Sequence, residues 1–254
     1  MVALVTSLLE VHDLYYCYPG YTAPVLNGTT LNLEAGEKVA LIGRNGSGKS
    51  TLLLHCNGIL RPERGQVRVA GQPMAYDQRA LRDWRRQVGL VFQHPDDQLF
   101  NANVAQDISF GPLNLGLNEQ EAQQRVAEAA ALCGVTDLLE RPTHALSGGE
   151  KARVALAGVL AMEPLILLAD EALANLDPWM RLQVVDIFEQ LVARGKTIML
   201  ATHDLHTTRT WAGRVIVMDG GRVVADGPTQ HIFSDPATLE RTSLSTVMGN
   251  FEQA

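Results

Sequence analysis

The sequence has no apolar run that approaches the 18 or more residues of a membrane-spanning helix. Its longest candidate, residues 154–169, is interrupted by Glu163 and Pro164. Residues 1–10 also lack the basic start and apolar centre of a signal peptide. We therefore expect a soluble, cytosolic chain whose association with any membrane depends on a partner.

The chain has fewer cationic than anionic residues: 21 Lys and Arg against 28 Asp and Glu, which gives a net charge of −7 and a pI near 5.5. This balance argues against nucleic acid as the main partner. The three cysteines, Cys17, Cys56 and Cys133, lack metal-type spacing and are predicted to be reduced thiols. There is no internal repeat or low-complexity linker. A chain of 254 residues, 46% hydrophobic, can form one α/β domain, with or without an inserted lobe.

The glycine-rich segment 43–50 follows the apolar run 38–42 and leads into the helix-like residues 51–55. It has the pattern G-x-x-x-x-G-K-S between a predicted strand and a predicted helix, which is typical of a nucleoside triphosphate site that uses Mg²⁺. Glycines allow successive backbone N–H groups to point at phosphate oxygens, Lys49 would reach the β- and γ-phosphates, and Ser50 would bind Mg²⁺. A turn that binds nothing would not explain Lys49 and Ser50 in this register. The predicted nucleotide-binding residues here are Gly43, Asn45, Gly46, Ser47, Gly48, Lys49, Ser50 and Thr51.

The order of secondary-structure patterns predicts an α/β fold with a helical insertion. Strands are predicted over 8–18, 25–33, 38–42, 65–71, 88–92, 165–169, 197–201, 214–218 and 222–225. Helices are predicted after the glycine-rich segment as far as residue 57, and over 79–86, 119–133 and 180–193. From residue 94 onward the composition becomes helix-rich, so roughly 95–160 is predicted to be the inserted lobe.

A second glycine pair lies in the segment Leu146, Ser147, Gly148, Gly149 and Glu150. Ser147 and Glu150 have the spacing of a capping box, which by itself indicates only the start of a helix. Glycine in a helical turn is unfavourable by about 0.5–1 kcal/mol relative to alanine. The two glycines would leave backbone N–H groups accessible at the helix start, and an anion bound there would offset this cost. The chain therefore has two predicted phosphate-binding segments, 43–50 and 146–150.

This segment resembles the signature motif of ATP-binding-cassette (ABC) ATPases, and the chain resembles that family from Leu9 to about Phe233. The resemblance implies a P-loop ABC-ATPase fold with a RecA-like core, an N-terminal antiparallel β part and an inserted helical lobe. The core would be 1–94 and 161–233, the lobe 95–160 and the C-terminal tail 234–254. In the family, the signature of one subunit closes over ATP held by another. A homodimer, or a heterodimer with a second ABC ATPase, is therefore implied.

The resemblance also implies roles for strand-end residues. Asp170, which ends an apolar strand, matches the aspartate that supports Mg²⁺, and Glu171 matches the carboxylate that polarises the attacking water. Gln93 matches the glutamine that contacts Mg²⁺ or the water, and His203 matches the switch histidine at the γ-phosphate. Taken alone, each of these residues would indicate only a solvated strand end. His206 is interpreted as a solvated helix residue.

Two further positions follow from the same resemblance. Tyr18 matches the aromatic residue that stacks on adenine, although Tyr15 and Tyr16 are close enough to leave the choice open. Asp177 matches the acid of the dimer-contact loop. That loop departs from the family pattern at 172–173, which is Ala-Leu, and at Asn175, whose tolerance of a left-handed backbone would preserve the loop shape.

Residues 91–100, 110–117 and 157–164 resemble energy-coupling-factor importers, and residues 74–77 with Leu81 and Arg85 resemble the cobalt/nickel members. The resemblance implies an ATPase at the cytoplasmic face of the membrane. It would be bound peripherally to a transmembrane coupling subunit, with a membrane subunit that captures the substrate. Asp96 and Asp97 would pair with arginines of the coupling subunit, although a solvated acidic loop would have the same sequence.

Other functions remain open. A vitamin importer of the same type would have a similar ATPase, because another protein selects the substrate. A soluble ABC ATPase acting on DNA or ribosomes would carry coiled-coil insertions or tandem cassettes, and this chain has neither. A binding module without turnover would not need both Glu171 and His203. A kinase would have no use for the signature motif.

Overall fold

The structure, a computed structural model, describes residues 7–174, 176–242 and 244, with Arg241 described by its backbone alone. Asn175 and most of the predicted tail lie outside the described residues. The chain divides into two compact units. The first is formed by Met1–Met74 and Met199–Ala254, and the second by Ala75–Ile198.

The first unit contains an antiparallel sheet with the strand order β2-β1-β4-β5. Leu9 of the central strand pairs with Leu33 on one side and with Val69 on the other, and all three side chains are buried. Alternation of buried and exposed residues therefore gives this sheet one core-facing side. The strands are β1 (Leu9–Tyr16), β2 (Leu26–Leu33), β4 (Arg64–Val69) and β5 (Gln72–Pro73).

The first unit also contains the apolar strand β3, which pairs in parallel with β9, with Ala40 opposite Val215. Strand β10 continues this group antiparallel to β9. The boundary between the two units falls within β8. The bounds are β3 (Lys38–Gly43), α1 (Lys49–Cys56), β8 (Thr197–Ala201), α7 (Leu205–Trp211), β9 (Arg214–Asp219), β10 (Arg222–Pro228), α8 (Thr229–Ser234) and α9 (Pro236–Arg241).

Among its described residues, which exclude Asn175, the second unit combines two fully buried parallel strands with five helices. Helix α3 packs against α4 and α5, which also pack against each other. The bounds are α2 (Gln78–Gln87), β6 (Val88–Val91), α3 (Val104–Asn114), α4 (Glu119–Leu132), α5 (Gly148–Leu160), β7 (Ile166–Asp170) and α6 (Pro178–Ala193), with 3₁₀ turns at Pro95–Asp97, Thr136–Leu138 and Thr143–Ala145.

The mixed α/β class predicted from the sequence is confirmed, with small differences at element ends. The strand predicted over 8–18 ends at Tyr16. The helix predicted over 180–193 begins two residues earlier, at Pro178, because Asp177 caps it. The predicted lobe 95–160 contains α3, α4 and α5, and its limits stay a prediction. In the part of the chain that the structure describes, no helix is long and apolar enough to cross a membrane.

Two cysteines are buried, one in each unit. Cys56 ends α1 and Cys133 follows α4, and burial raises the pKa of each thiol to about 12. Cys17 is partly exposed, and its thiol donates to the carbonyl of Tyr21 at 3.0 Å.

Candidate functional site

The glycine-rich segment joins β3 to α1 in a shape that its glycines make possible. Gly46 and Gly48 have φ angles of 80° and 102°, in the left-handed region that L side chains rarely adopt. A methyl group on Gly43 would lie 2.8 Å from Ser47 Oγ and would also overlap the carbonyl oxygen of Met218. The backbone therefore wraps closely enough to surround an anion at the start of α1.

Lys49 lies across this loop with its side chain almost fully buried. Its ammonium donates to the carbonyl oxygens of Gly43 at 2.9 Å and of Arg44 at 3.3 Å. Ser47 Oγ is buried and has no hydrogen-bond partner among the described residues, whereas Ser50 is exposed. A buried cation beside an unsatisfied hydroxyl is the environment that a phosphate group would complete, so these residues fit a triphosphate.

Tyr18 contacts the helix that follows the loop: its hydroxyl lies 3.2 Å from Thr51 Oγ1. The ring of Tyr16 packs edge-on against Tyr18 and against buried His55, with centroid separations of 5.0 and 4.6 Å. The Tyr15 ring instead lies 4.9 Å from the Arg64 guanidinium. Of the three tyrosines considered from sequence, Tyr18 is the one joined by a hydrogen bond to α1.

His203 and the glycine-rich loop line one cavity of about 470 Å³ within the first unit. Gly43, Arg44 and Asn45 form part of its wall, and His203 is exposed. His206 is exposed on α7, as predicted. The structure thus brings the predicted switch histidine to the predicted phosphate loop, although they are about 160 residues apart in the sequence.

Within the second unit, Gln93 and Glu171 come just after parallel neighbouring strands, with Val91 opposite Ala169 in the register. Both residues line a cavity of about 190 Å³, together with Asp96 and Gly148. The structure therefore places the predicted glutamine, carboxylate and signature glycine around one cavity of this unit.

Asp170 and Glu171 are both buried, and Glu171 has a φ angle of 48°. A non-glycine residue in the left-handed region is unfavourable by about 1–3 kcal/mol, and such residues cluster at functional sites. Across the described residues, no group of three or more His, Cys, Asp or Glu side chains forms a metal cluster.

The signature segment starts α5 with the predicted capping box. The Ser147 N–H donates to Glu150 at 2.7 Å, and the Glu150 N–H donates to Ser147 Oγ at 3.4 Å. Arg141 adds a hydrogen-bonded ion pair to Glu150 at 2.8 Å. The hydrogen bonds from Ser147 are the main cause of the lowered pKa of Glu150, and Arg141 lowers it further. The carboxylate of Glu150 thus belongs to the helix start, and the exposed backbone of Gly148 is left accessible.

Asp177 caps α6: its Oδ1 accepts the N–H of Met180 at 3.0 Å. Leu173, one of the departures from the family pattern, is buried, and the N–H of Ala174 donates to the carbonyl of Glu171 at 2.8 Å. Asn175, on which the predicted loop shape depended, lies outside the described residues. Asp177 remains exposed, as a contact residue would need to be.

Asp96 and Asp97 are exposed in the 3₁₀ turn after Gln93, and Asp96 pairs with Lys151 of α5 at 2.5 Å. Gln98 joins the same two segments, because its side chain accepts from the Phe92 N–H at 3.3 Å and donates to the Ala155 carbonyl at 2.7 Å. These links were not predicted. The partners in the Asp96–Lys151 and Gln98–Ala155 contacts lie more than 50 residues apart, so nothing local in the sequence indicates these two contacts.

Comparison with known proteins identifies the family. Residues 26–174, more than half of the chain, match the sequence model of the family described as "ABC transporter". The energy-coupling factor transporter ATP-binding protein EcfA2 of Methanospirillum hungatei is 45% identical over 94% of this chain, which spans 60% of that protein's length. The cobalt import ATP-binding protein CbiO of Rhodobacter capsulatus is 47% identical, with 94% of this chain and 85% of that protein covered.

A solved structure is similar as well. The chain superimposes on cbiO1 from Clostridium perfringens, described as part of the ABC transporter complex cbiONQ, with a TM-score of 0.82. The two share 38% identity, with 98% of this chain and 100% of that chain covered. The ABC-ATPase fold predicted from the motifs is thereby confirmed. The chain belongs to the ABC transporter family and is an ATP-binding, ATP-hydrolysing domain of that family.

Proposed function

We propose that this chain is the ATP-hydrolysing motor subunit of an energy-coupling-factor importer for a transition-metal ion, cobalt or nickel. The observation that carries the proposal is that one chain holds two helix starts whose geometry suits a phosphate group. One is the loop closed by Lys49, and the other is the capped signature helix with the exposed Gly148. The names of the relatives support the importer class and cobalt as the substrate.

The triphosphate and the adenine are bound by the glycine-rich loop and Tyr18 of the first unit. Lys49 exchanges its bonds to the carbonyls of Gly43 and Arg44 for phosphate oxygens, and the buried Ser47 hydroxyl gains the partner it lacks among the described residues. Tyr18 stacks on the adenine. Ser50, Gln93 and Asp170 are the groups that would hold Mg²⁺, directly or through water. When bound, Mg²⁺ neutralises charge that develops on the transferred phosphoryl group.

Hydrolysis uses strand-end side chains. Glu171 accepts a hydrogen bond from the attacking water and draws its proton, while Gln93 holds that water in line. His203 donates to the γ-phosphate. The φ angle of 48° at Glu171 supports this role, because non-glycine residues held in the left-handed region cluster at functional sites.

The proposal requires two chains, because each signature serves the ATP held by the opposite subunit. In a head-to-tail dimer, Ser147 and Gly148 of one chain would close over the nucleotide of the other, with Asp177 at the contact between them. The exposure of all three residues supports this role. The partner is a second copy of this chain or a related ABC ATPase.

The motor would act at the cytoplasmic face of the membrane, docked on a transmembrane coupling subunit beside a substrate-capture subunit. Asp96 and Asp97 offer charge to arginines of the coupling subunit. Phe100 and Phe110 support this docking surface: their rings pack edge-on at 4.7 Å, yet 64% and 46% of their surfaces remain exposed.

Uptake measurements test the proposal. The complex that co-purifies with the tagged chain would be reconstituted in vesicles supplied with ATP, and uptake of Co²⁺, Ni²⁺ and water-soluble vitamins would be compared. We expect ATP-dependent uptake of Co²⁺ or Ni²⁺, which is lost in Lys49→Ala because the triphosphate then lacks its cation. Uptake of a vitamin without metal would favour the vitamin importer. ATP hydrolysis by a chain that captures no membrane subunit would contradict the importer assignment.

A further inference from the structure

The two signature glycines have different surroundings. Apart from its chain neighbours and the backbone of its own helix turn, a methyl group on Gly148 would meet no atom of the described residues within 4 Å. A methyl group on Gly149 would lie 2.6 Å from Met180 Cε and 3.4 Å from its Cγ, and would overlap its Sδ. Gly148 therefore faces open space, while Gly149 is covered by one side chain of α6.

Met180 is itself held by the dimer-contact loop. It is the third residue of α6, and its N–H donates to Asp177 Oδ1 at 3.0 Å. The backbone of Met180 is thus tied to the cap, while its thioether lies over the second residue of the signature helix α5. Through Met180, the starts of α5 and α6 are in direct contact within one unit.

We propose that Met180 is a positioning residue that sets Asp177 relative to the signature helix, and that Gly149 is needed because any Cβ there displaces the Met180 thioether. The inference rests on the proposed function, in which Asp177 and the signature act together on the partner chain. Asp177 and the signature must therefore be correctly placed relative to each other when they contact the partner chain. Misplacement of catalytic groups by about 1 Å can slow a reaction about 10²-fold. The alternative is that glycine at position 149, as at position 148, serves only to leave the backbone N–H accessible to an anion.

A double-mutant cycle separates these roles. Steady-state ATPase kinetics would be measured for the parent, Gly149→Ala, Met180→Ala and the double variant. We expect each single variant to lower kcat with KM for ATP unchanged, because nucleotide binds at the phosphate loop. The kcat of the double variant should exceed the value expected from multiplying the two single losses by at least about twofold, the low end of coupling between residues in contact. Met180→Leu, which keeps an apolar side chain of similar reach, should retain most of the parent kcat.

Two controls make the cycle specific. Gly148→Ala combined with Met180→Ala should give additive losses, because the structure places nothing over Gly148. Leu182→Ala removes an exposed apolar side chain from the same helix and should leave kcat at the parent level. Thermal unfolding of each isolated chain gives a second readout. Gly149→Ala should raise the midpoint more in the Met180→Ala background, where the alanine methyl group has room.

Additive losses in the Gly149/Met180 cycle would overturn the inference, as would a Met180→Leu variant as inactive as Met180→Ala. A parent chain that hydrolyses no ATP would count against the proposed function instead. In that case the unfolding midpoints still test the contact, and additivity there would overturn the Met180 inference independently.

Discussion

Residues just after β6 and β7 are the ones proposed to hydrolyse ATP. Their backbone conformation, as well as their type, indicates this role. Glu171 is one of four non-glycine residues with positive φ among those described. Resemblance to the family predicted its role from its place after Asp170. The left-handed conformation could not be predicted, because nothing in the residues after the strand requires it. The covering of Gly149 by Met180 was missed for a related reason, since that contact joins two helices.

Glu171→Gln should keep ATP binding and lower hydrolysis by at least about 10²-fold, because the amide cannot draw a proton from water. Occupied dimers should then accumulate. Phosphate release and light scattering in the presence of Mg²⁺ and ATP would measure both effects.

Glu163→Gln is the matched control for this variant. Glu163 also has a positive φ angle, of 54°, but it is exposed and pairs with Arg125. Its loss should leave turnover near the parent value. If the two glutamine variants behaved alike, Glu171 would lose its catalytic role.

Helix starts were predicted well wherever the information is local. Ser147 and Glu150 form the expected capping box, since both partners lie within one turn. Helix α3 lies in the region predicted to be helical, but its bounds were not predicted, because Gly111 and Pro112 lie near its end. Glycine at position 111 is explained by a tertiary contact, because a methyl group there would lie 2.7 Å from Met162 Cγ.

The signature helix supports a prediction about sharing between chains. Gly148→Asp should abolish turnover while the same chain still binds ATP, because the added carboxylate meets open space in its own chain and γ-phosphate in the partner. Mixed with Lys49→Ala, it should regain part of the activity, since one composite site then carries both defects and the other carries neither. ATPase assays on the mixture, with crosslinking to show mixed dimers, would measure this. If mixing restores no activity, either both sites must fire together or the site is not shared, and crosslinking across the pair would separate those cases.

The 3₁₀ turn Pro95–Asp97 supports a prediction about docking. Replacing Asp96 and Asp97 with alanine should leave ATP binding by the isolated chain almost unchanged. It should weaken co-purification with the coupling subunit, because truncating one partner of an interfacial ion pair is unfavourable by about 2–5 kcal/mol. Uptake of Co²⁺ or Ni²⁺ should fall accordingly.

Lys151→Ala is the control that separates docking from internal structure. It breaks the ion pair with Asp96 but keeps both acids. Since Asp96 is largely exposed, this pair contributes little to stability. Weakened docking in the double-alanine variant alone would support the acids as docking residues. Equal loss in Lys151→Ala would indicate that the ion pair itself matters, and normal assembly of both would place docking elsewhere.

The fold class and the family of the chain could be predicted from the sequence, because the phosphate loop, the signature and the Asp-Glu pair are each contiguous motifs. A change of composition at residue 94 predicted a lobe of 95–160, and its limits stay a prediction. Contacts group Ala75–Ile198 into one compact unit, which also includes α2, β6, β7 and α6. The apolar sequences of β6 and β7 predict burial without indicating which neighbours bury them.

The buried thiols of Cys56 and Cys133 allow local opening of each unit to be measured by alkylation. Burial raises the pKa of both thiols to about 12, so they stay protonated at pH 8, and alkylation must wait until the surrounding structure opens. Because the folded pKa lies above the unfolded value of about 8.5, both thiols also make the free energy of unfolding fall as the pH rises from there towards 12.

Alkylation followed by mass spectrometry should therefore label Cys17 quickly and the other two slowly. ATP with Mg²⁺ should protect Cys56, on the helix of the phosphate loop, more than Cys133, and Lys49→Ala should remove that protection. Equal protection of both thiols would mean that the two units open together. The chain thus carries one buried thiol in each unit, and the opening of either unit can be timed without introducing a further cysteine.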